Sequence, residues 1–298
     1  MGENIRWLHA SNPNEEELRE IGKTVKLHPL ILEELKTPSA RTKIEHHKNY
    51  LYFIYYFPVF DEKEQVSRRS EIDFVVSKKE VITVTYERIA ALEELRANIT
   101  AHSPAFENSL ALVHRILISL FSFEERQLDH VREKVERISG ELFHERERER
   151  ERFLLQKISY VKRDISQYGI IVRPQKHMLE NLAETATAFF SISSAVYLND
   201  LLGEHMKIIE QIDNYREAVE DFESTNIQLI NLKNAEVTKT FTILAFLTFP
   251  MMLFAALFSM NTTDTPLVSG PHGFWAILGI MVLAMGAMFG YFRKRDWI

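Results

Sequence analysis

Cysteine is absent from the 298 residues. That excludes disulfides and thiolate metal sites, so any metal must be held by oxygen, by imidazole or through water. A basic excess is also missing: the formal net charge is -6, which argues against a general nucleic-acid binder, whose surface is normally basic. There is no phosphate-binding glycine loop, no nucleophile motif, no HExxH pair and no pair of catalytic acids, so an enzyme is the least favoured class. The N-terminus, Met1-Gly2-Glu3-Asn4, lacks the basic start and apolar run of a signal peptide.

The most informative absence is that of charge near the end of the chain. Phe241 to Phe258 is an uncharged stretch of 18 residues and Phe274 to Phe292 one of 19, each about enough to cross ~30 Å of hydrocarbon as a helix. The segment between them, residues 261–273, contains no Lys or Arg, whereas Lys233, Lys239, Arg293, Lys294 and Arg295 flank the two runs on their other sides. By the positive-inside rule this predicts a two-span membrane protein with both termini cytoplasmic and nearly all its mass in the cytosol. Three regions are expected: a cytosolic α/β domain over 1–105, a long-helix stalk over 106–236, and a transmembrane hairpin over 237–298 with a short outer loop and a basic tail.

Within the first region, Ile5 to Ala10 reads as a strand. Asn12-Pro13 before three glutamates reads as a helix start with Asn12 as the cap. Leu27-His28-Pro29 restarts the chain into a short helix, with His28 as a turn or packing residue. Tyr50 to Phe57 reads as a buried strand, and Ile72–Val76 with Val81–Tyr86 as a hairpin turning at residues 77–80. Helical patterning follows from Ile89. His46-His47 beside Glu45 invites a metal pair, but adjacent residues point in different directions.

From Leu110 to Tyr168 apolar residues recur at helical spacing, predicting one long helix, or two in line if Gly140 breaks it. The alternating Glu-Arg run at 145–152 lies inside it and reads as a solvated tip or bend. A further helix is expected from Gln175 to Ser191, folding back on the first. The last and longest should start near Asn199-Asp200, with Asp200 able to cap it, and run on to Asn261 with no glycine after Gly203 and one proline, Pro250. Sixty residues of helix span roughly 90 Å.

The first span ends in Ser259-Met260-Asn261, nine residues beyond Pro250. This resembles the CorA family of divalent-cation channels, whose signature is Gly-Met-Asn at the outer end of the first of two C-terminal spans. Ser259 stands where the family usually has Gly. The ending Tyr291-Phe292-Arg293-Lys294-Arg295 and the start Trp7-Leu8, Asn12-Pro13, Glu15-Glu16-Glu17-Leu18 and Leu27-His28-Pro29-Leu30 extend the likeness over essentially the whole chain.

The resemblance implies an α+β membrane protein built as a funnel-like homopentamer in the plasma (inner) membrane, with the first span lining a pore for Mg²⁺ and also Co²⁺ or Ni²⁺. Stepping back from Ser259 along one helical face gives pore rings at Met252, Phe249, Ala245, Phe241 and Thr238, with Asn261 recognising the hydrated ion through its water. Family members also bind regulatory Mg²⁺ at cytosolic subunit interfaces, and Asp200 occupies a comparable position. The cation is substrate and regulator, and no cofactor is expected. Two alternatives stay open: a proton-coupled Zn²⁺ carrier, and a scaffold that no longer conducts.

Overall fold

The computed structural model describes residues 5–64, 66–102, 106–142, 148–190, 195–260 and 272–295. The chain divides into two compact units, Met1–Glu223 and Ser224–Ile298.

The first unit is built on a five-stranded sheet ordered β1-β5-β4-β3-β2. The strands are β1 (Arg6–Ser11), β2 (Ile44–His46), β3 (Tyr50–Asp61), β4 (Val66–Ser77) and β5 (Glu80–Thr85). β1 runs parallel to β5, and all other pairs are antiparallel. Strand side chains alternate between faces, and the aromatic run in β3 uses both. Leu51, Phe53, Tyr55 and Phe57 enter one core with the long helices, while Tyr50, Tyr52, Ile54 and Tyr56 enter a second with α1 (Glu15–Val25) and α2 (Pro29–Glu34). A strand buried on both faces has to be apolar throughout, which is why this stretch reads as a continuous hydrophobic run. Each such side chain is worth roughly 1.5–3 kcal/mol of burial. An exposed pair such as Arg19 with Glu15 at 3.4 Å adds less than about 1 kcal/mol.

The expected hairpin forms. Ser77 Oγ accepts the Glu80 N–H at 3.0 Å and closes the turn between β4 and β5. The helix-start assignment moves by two residues. Asn14 is the cap, its Oδ1 accepting from the backbone N–H of Glu16 and Glu17 at 2.9 Å, while Glu17 accepts the Asn14 N–H at 2.9 Å. Asn12 instead takes a left-handed turn at φ 50°, a conformation asparagine tolerates better than most residues. His28 caps α2, its Nδ1 accepting from Leu30 N at 3.2 Å. The three-residue strand β2 has too short an alternating pattern to register in the sequence.

Beyond α3 (Ala90–His102), the expectation of one helix from Leu110 to Tyr168 is corrected. α4 (Ser109–Leu142) and α5 (Arg148–Phe189) are separate helices, and they lie antiparallel: Lys157 pairs with Glu141, Lys134 with Asp164, and Tyr168 Oη donates to the Glu124 carbonyl at 2.7 Å. α4 passes through Gly140 unbroken. Of the Glu-Arg run, residues 148–152 open α5 and residues 145–147 lie outside the described residues. The helix expected to start at Gln175 is the second half of α5, which continues through Pro174. Proline removes one backbone donor there, and Gln175 strengthens the same turn: its Nε2 donates to Ile171 O at 3.2 Å and its Oε1 accepts Tyr56 N–H at 3.2 Å.

α6 (Ala195–Ser259) is the longest helix. Within the first unit it lies antiparallel to α5, with Arg173 against Asp213 at 2.6 Å and Lys162 against Glu223 at 2.8 Å. The second unit contains its C-terminal part and α7 (Gly273–Lys294).

Candidate functional site

Two helices are long and apolar enough to cross a membrane, the C-terminal part of α6 and α7, and only 11% and 6% of their most apolar stretches is buried within the chain. Core helices of a soluble protein would be covered. These stretches present Phe241, Phe249, Met252, Phe274, Trp275 and Leu283 at 65% exposure or more, which suits a surrounding of lipid or neighbouring helices.

The hydroxyl residues of the α6 span are compatible with that setting because their donors are used locally. Thr238 donates to Asn234 O at 2.8 Å, Thr242 to Thr238 O at 2.8 Å, Thr248 to Leu244 O at 2.9 Å, and Ser259 to Ala256 O at 3.0 Å. Each hydroxyl oxygen keeps acceptor capacity after its proton is spent on the helix. Pro250 sits inside the helix, so its turn lacks one backbone donor.

At about 100° per residue, Thr238, Phe241, Ala245, Phe249, Met252 and Ser259 fall within an arc of about 80° on the helix surface. Thr238, Phe241, Phe249, Met252 and Ser259 are exposed, and the small Ala245 is half-buried. Of the half-buried or buried residues, Ile243, Leu247, Pro250, Met251 and Phe258 centre roughly opposite that arc by the same geometry, while Thr242 lies beside it. On the flank between the two, the Phe246 ring approaches Phe292 of α7 at 6.3 Å. The face singled out in the sequence is exposed apart from Ala245, and so is most of this stretch of the helix, Leu244, Phe246, Leu253, Phe254 and Leu257 included. Met260 follows at 57% exposure, and Asn261 lies outside the described residues.

Asp200 is placed differently from its expected capping role. It lies inside α6, which begins at Ala195, and its Oδ2 is bound by His114 Nε2 at 2.7 Å. The His114 ring lies 5.4 Å from that of Tyr197, whose Oη donates to Glu107 at 3.0 Å. Sequence reading missed His114, which sits 86 positions away and has no local signature. Among the described residues no group of three or more His, Asp or Glu is arranged to hold a metal. His46 and His47 diverge as expected: His47 binds Glu45 at 3.0 Å, while His46 meets the edge of Phe189 at 5.4 Å.

Two buried polar nodes fix the helices of the first unit. Asp164, almost fully buried, accepts from the Ser67 backbone and hydroxyl, from Lys134 at 2.9 Å and from His130 at 2.7 Å. Burial alone would raise its pKa, but the His130 and Lys134 partners outweigh burial and hold it below the usual carboxylate value. In the other node Tyr55 Oη donates to Glu124 at 2.8 Å, and His205 Nε2 meets Val172 O at 3.1 Å. Among the described residues no cation pairs with Glu124, and burial pushes its pKa up to about 8 while pushing that of His205 down to about 4.

Comparison with known proteins agrees with this architecture. The family model described as CorA-like Mg²⁺ transporter protein matches residues 2–294. The cobalt/magnesium transport protein CorA of Thermotoga maritima is 19% identical over 297 residues, covering 99% of this chain and 82% of the relative. Its namesake in Methanocaldococcus jannaschii is 21% identical, covering 98% and 91%. The solved CorA magnesium transporter of Methanocaldococcus jannaschii superposes with a TM-score of 0.82 at 20% identity, over 99% of this chain and 92% of that one. With both apolar helices, the sheet domain and the long helices matched from end to end, this chain belongs to the CorA-like Mg²⁺ transporter protein family.

Proposed function

We propose that the protein is a passive channel for divalent cations, Mg²⁺ foremost and Co²⁺ or Ni²⁺ alongside, driven by the membrane potential. It assembles as a homopentamer in a plasma membrane with both termini in the cytoplasm. The observation that carries this reading is that the apolar stretch of α6 is almost uncovered within the chain. Two helices cannot enclose an aqueous path, so the exposed face from Thr238 to Ser259 has to meet copies of itself around an axis. Five copies stack Thr238 at the cytosolic entrance below apolar rings at Phe241, Ala245, Phe249 and Met252. Apolar rings of this kind close a pore by dewetting.

Asn261 acts at the outer mouth. Mg²⁺ gives up its water reluctantly, so a ring of neutral amide oxygens selects the hydrated ion and holds it weakly enough to release it. Met260 sets the turn and Ser259 replaces the usual glycine. Asp200, already bound to His114, offers a carboxylate for a regulatory cation shared with a neighbouring subunit, and cation bound there would favour the closed ring.

Purified protein in liposomes with entrapped dyes provides the test. Mg²⁺ influx that follows the membrane potential, and falls at least tenfold in Asn261→Ala, is expected. Zn²⁺ flux that follows a proton gradient would replace the channel by a carrier, and absence of flux from a well-folded assembly would leave a scaffold.

A further inference from the structure

On the face of the sheet covered by α1 and α2, β4 carries two carboxyl groups two residues apart. Glu71 is 5% exposed and Asp73 fully buried. Asp73 accepts from Tyr52 Oη at 2.7 Å and Tyr86 Oη at 2.8 Å. Both oxygens of Glu71 face the Ser39 N–H at 2.9 Å. The two carboxyls are successive side chains on one buried face of β4, and two carboxyls side by side in a buried site share a proton rather than both ionise.

The cations nearby make their hydrogen bonds elsewhere, although Arg69 lies close enough to Glu71 to favour its charged form. Lys43 pairs with Glu34 of α2 and Glu45 of β2 and lies over the Tyr52 ring at 5.0 Å. Arg69 stacks on Tyr56 at 4.3 Å and donates to the carbonyls of Ser39 and Ala40 at 3.3 Å. Glu34 adds a further negative charge facing Asp73. The segment between α2 and β2 is thus fastened to the sheet at Ser39 by Glu71, by Arg69 and by Tyr56 Oη, which donates to Ser39 O at 2.8 Å.

We propose that the Glu71–Asp73 pair is a proton-controlled latch on the segment between α2 and β2: with one shared proton the segment is held on the sheet, and loss of that proton releases it. Two ionised carboxylates cannot remain in contact in a buried site. Asp73 is anchored by two tyrosines and has no exposed surface. Glu71 lies nearer solvent and moves outward, taking with it the contact that binds Ser39. Burial raises both pKa values: to about 7 for Glu71, where the Ser39 N–H and Arg69 oppose it and the Asp73 charge adds to it, and to about 6 for Asp73, where Tyr52, Tyr86 and Glu71 oppose it and the Glu34 charge adds to it. Both lie above their ordinary unfolded values. The pair's contribution is therefore complete below the usual carboxylate range and is lost as pH rises through 6 to 7.

The full-length protein in detergent micelles serves for amide hydrogen exchange of residues 36–43 at pH 5.5 to 8.5, with rates corrected for intrinsic pH dependence. Protection of this segment should fall about tenfold between pH 6 and pH 8 in the native sequence, and should stay level in Glu71→Gln, whose amide keeps both the Ser39 and the Asp73 contacts without titrating. Asp73→Asn is a second variant expected to abolish the fall, and Glu124→Gln, on the opposite face of the sheet, should retain it. Unchanged protection across this range in the native sequence, or a fall that persists in both β4 variants, would overturn the latch.

Discussion

Glu124 and His205 lie in the same helical core, and both are held neutral by burial rather than by a partner. Their effects on stability have opposite signs along the pH scale. Glu124 has a folded pKa above its unfolded value, so its contribution is complete below the ordinary carboxylate range and is lost as pH rises through about 8. His205 has a folded pKa below its unfolded value, so the fold weakens as pH falls from the usual imidazole range towards about 4. Glu124→Gln keeps the acceptor for Tyr55 and removes the ionisation. It should stabilise the protein by about 2 kcal/mol at pH 7.5 and by little at pH 5, read as a thermal midpoint that rises only at the higher pH. Equal shifts at both values would mean that Glu124 does not titrate where its burial places it. None of this is visible in the sequence, where Glu124 is one acid among many on a helix and its burial depends on Tyr55, 69 residues away.

The elements that could be read from the chain were those whose signals are local. β1, α1, the β4–β5 hairpin and the two apolar helices follow from alternation, turn residues and uncharged length. The Asn14 cap was displaced onto Asn12 because both are asparagines beside Pro13, and only φ distinguishes the turn from the cap. Asn14→Ala should cost α1 about 1 kcal/mol, seen as roughly fivefold faster amide exchange over residues 15–25, whereas Asn12→Ala should act through the turn and leave the exchange pattern of α1 in place. The α4–α5 reversal was hidden for a different reason. Helical periodicity continues on either side of residues 143–147, and a reversal between antiparallel helices preserves period while changing direction. The start expected at Gln175 erred in the opposite sense, for α5 continues through Pro174 and Gln175 reinforces that turn. For the proposed pore, helical spacing places Thr238 to Ser259 on one face of α6, since the positions of a regular helix follow from arithmetic. The Asp200–His114 pair needed the fold.

For the molecule as a whole, the flux of divalent ions is where the proposed channel assembly will stand or fail. The sheet adds a consequence for how the protein is made. β1 is synthesised before its partner β5, and Arg6 is partnered by Glu80, 74 residues later; closing a loop of that size costs about 4 kcal/mol by chain-entropy scaling. The β3–β4–β5 meander needs only short connections, so pulsed hydrogen exchange during refolding of the soluble portion should protect β3 to β5 before β1. Simultaneous protection of all four strands would contradict this order. During translation the opening strand then waits as an unpaired edge until β5 leaves the ribosome, and this interval, rather than any weakness of the finished sheet, is when the nascent chain is most open to pairing with the wrong neighbour.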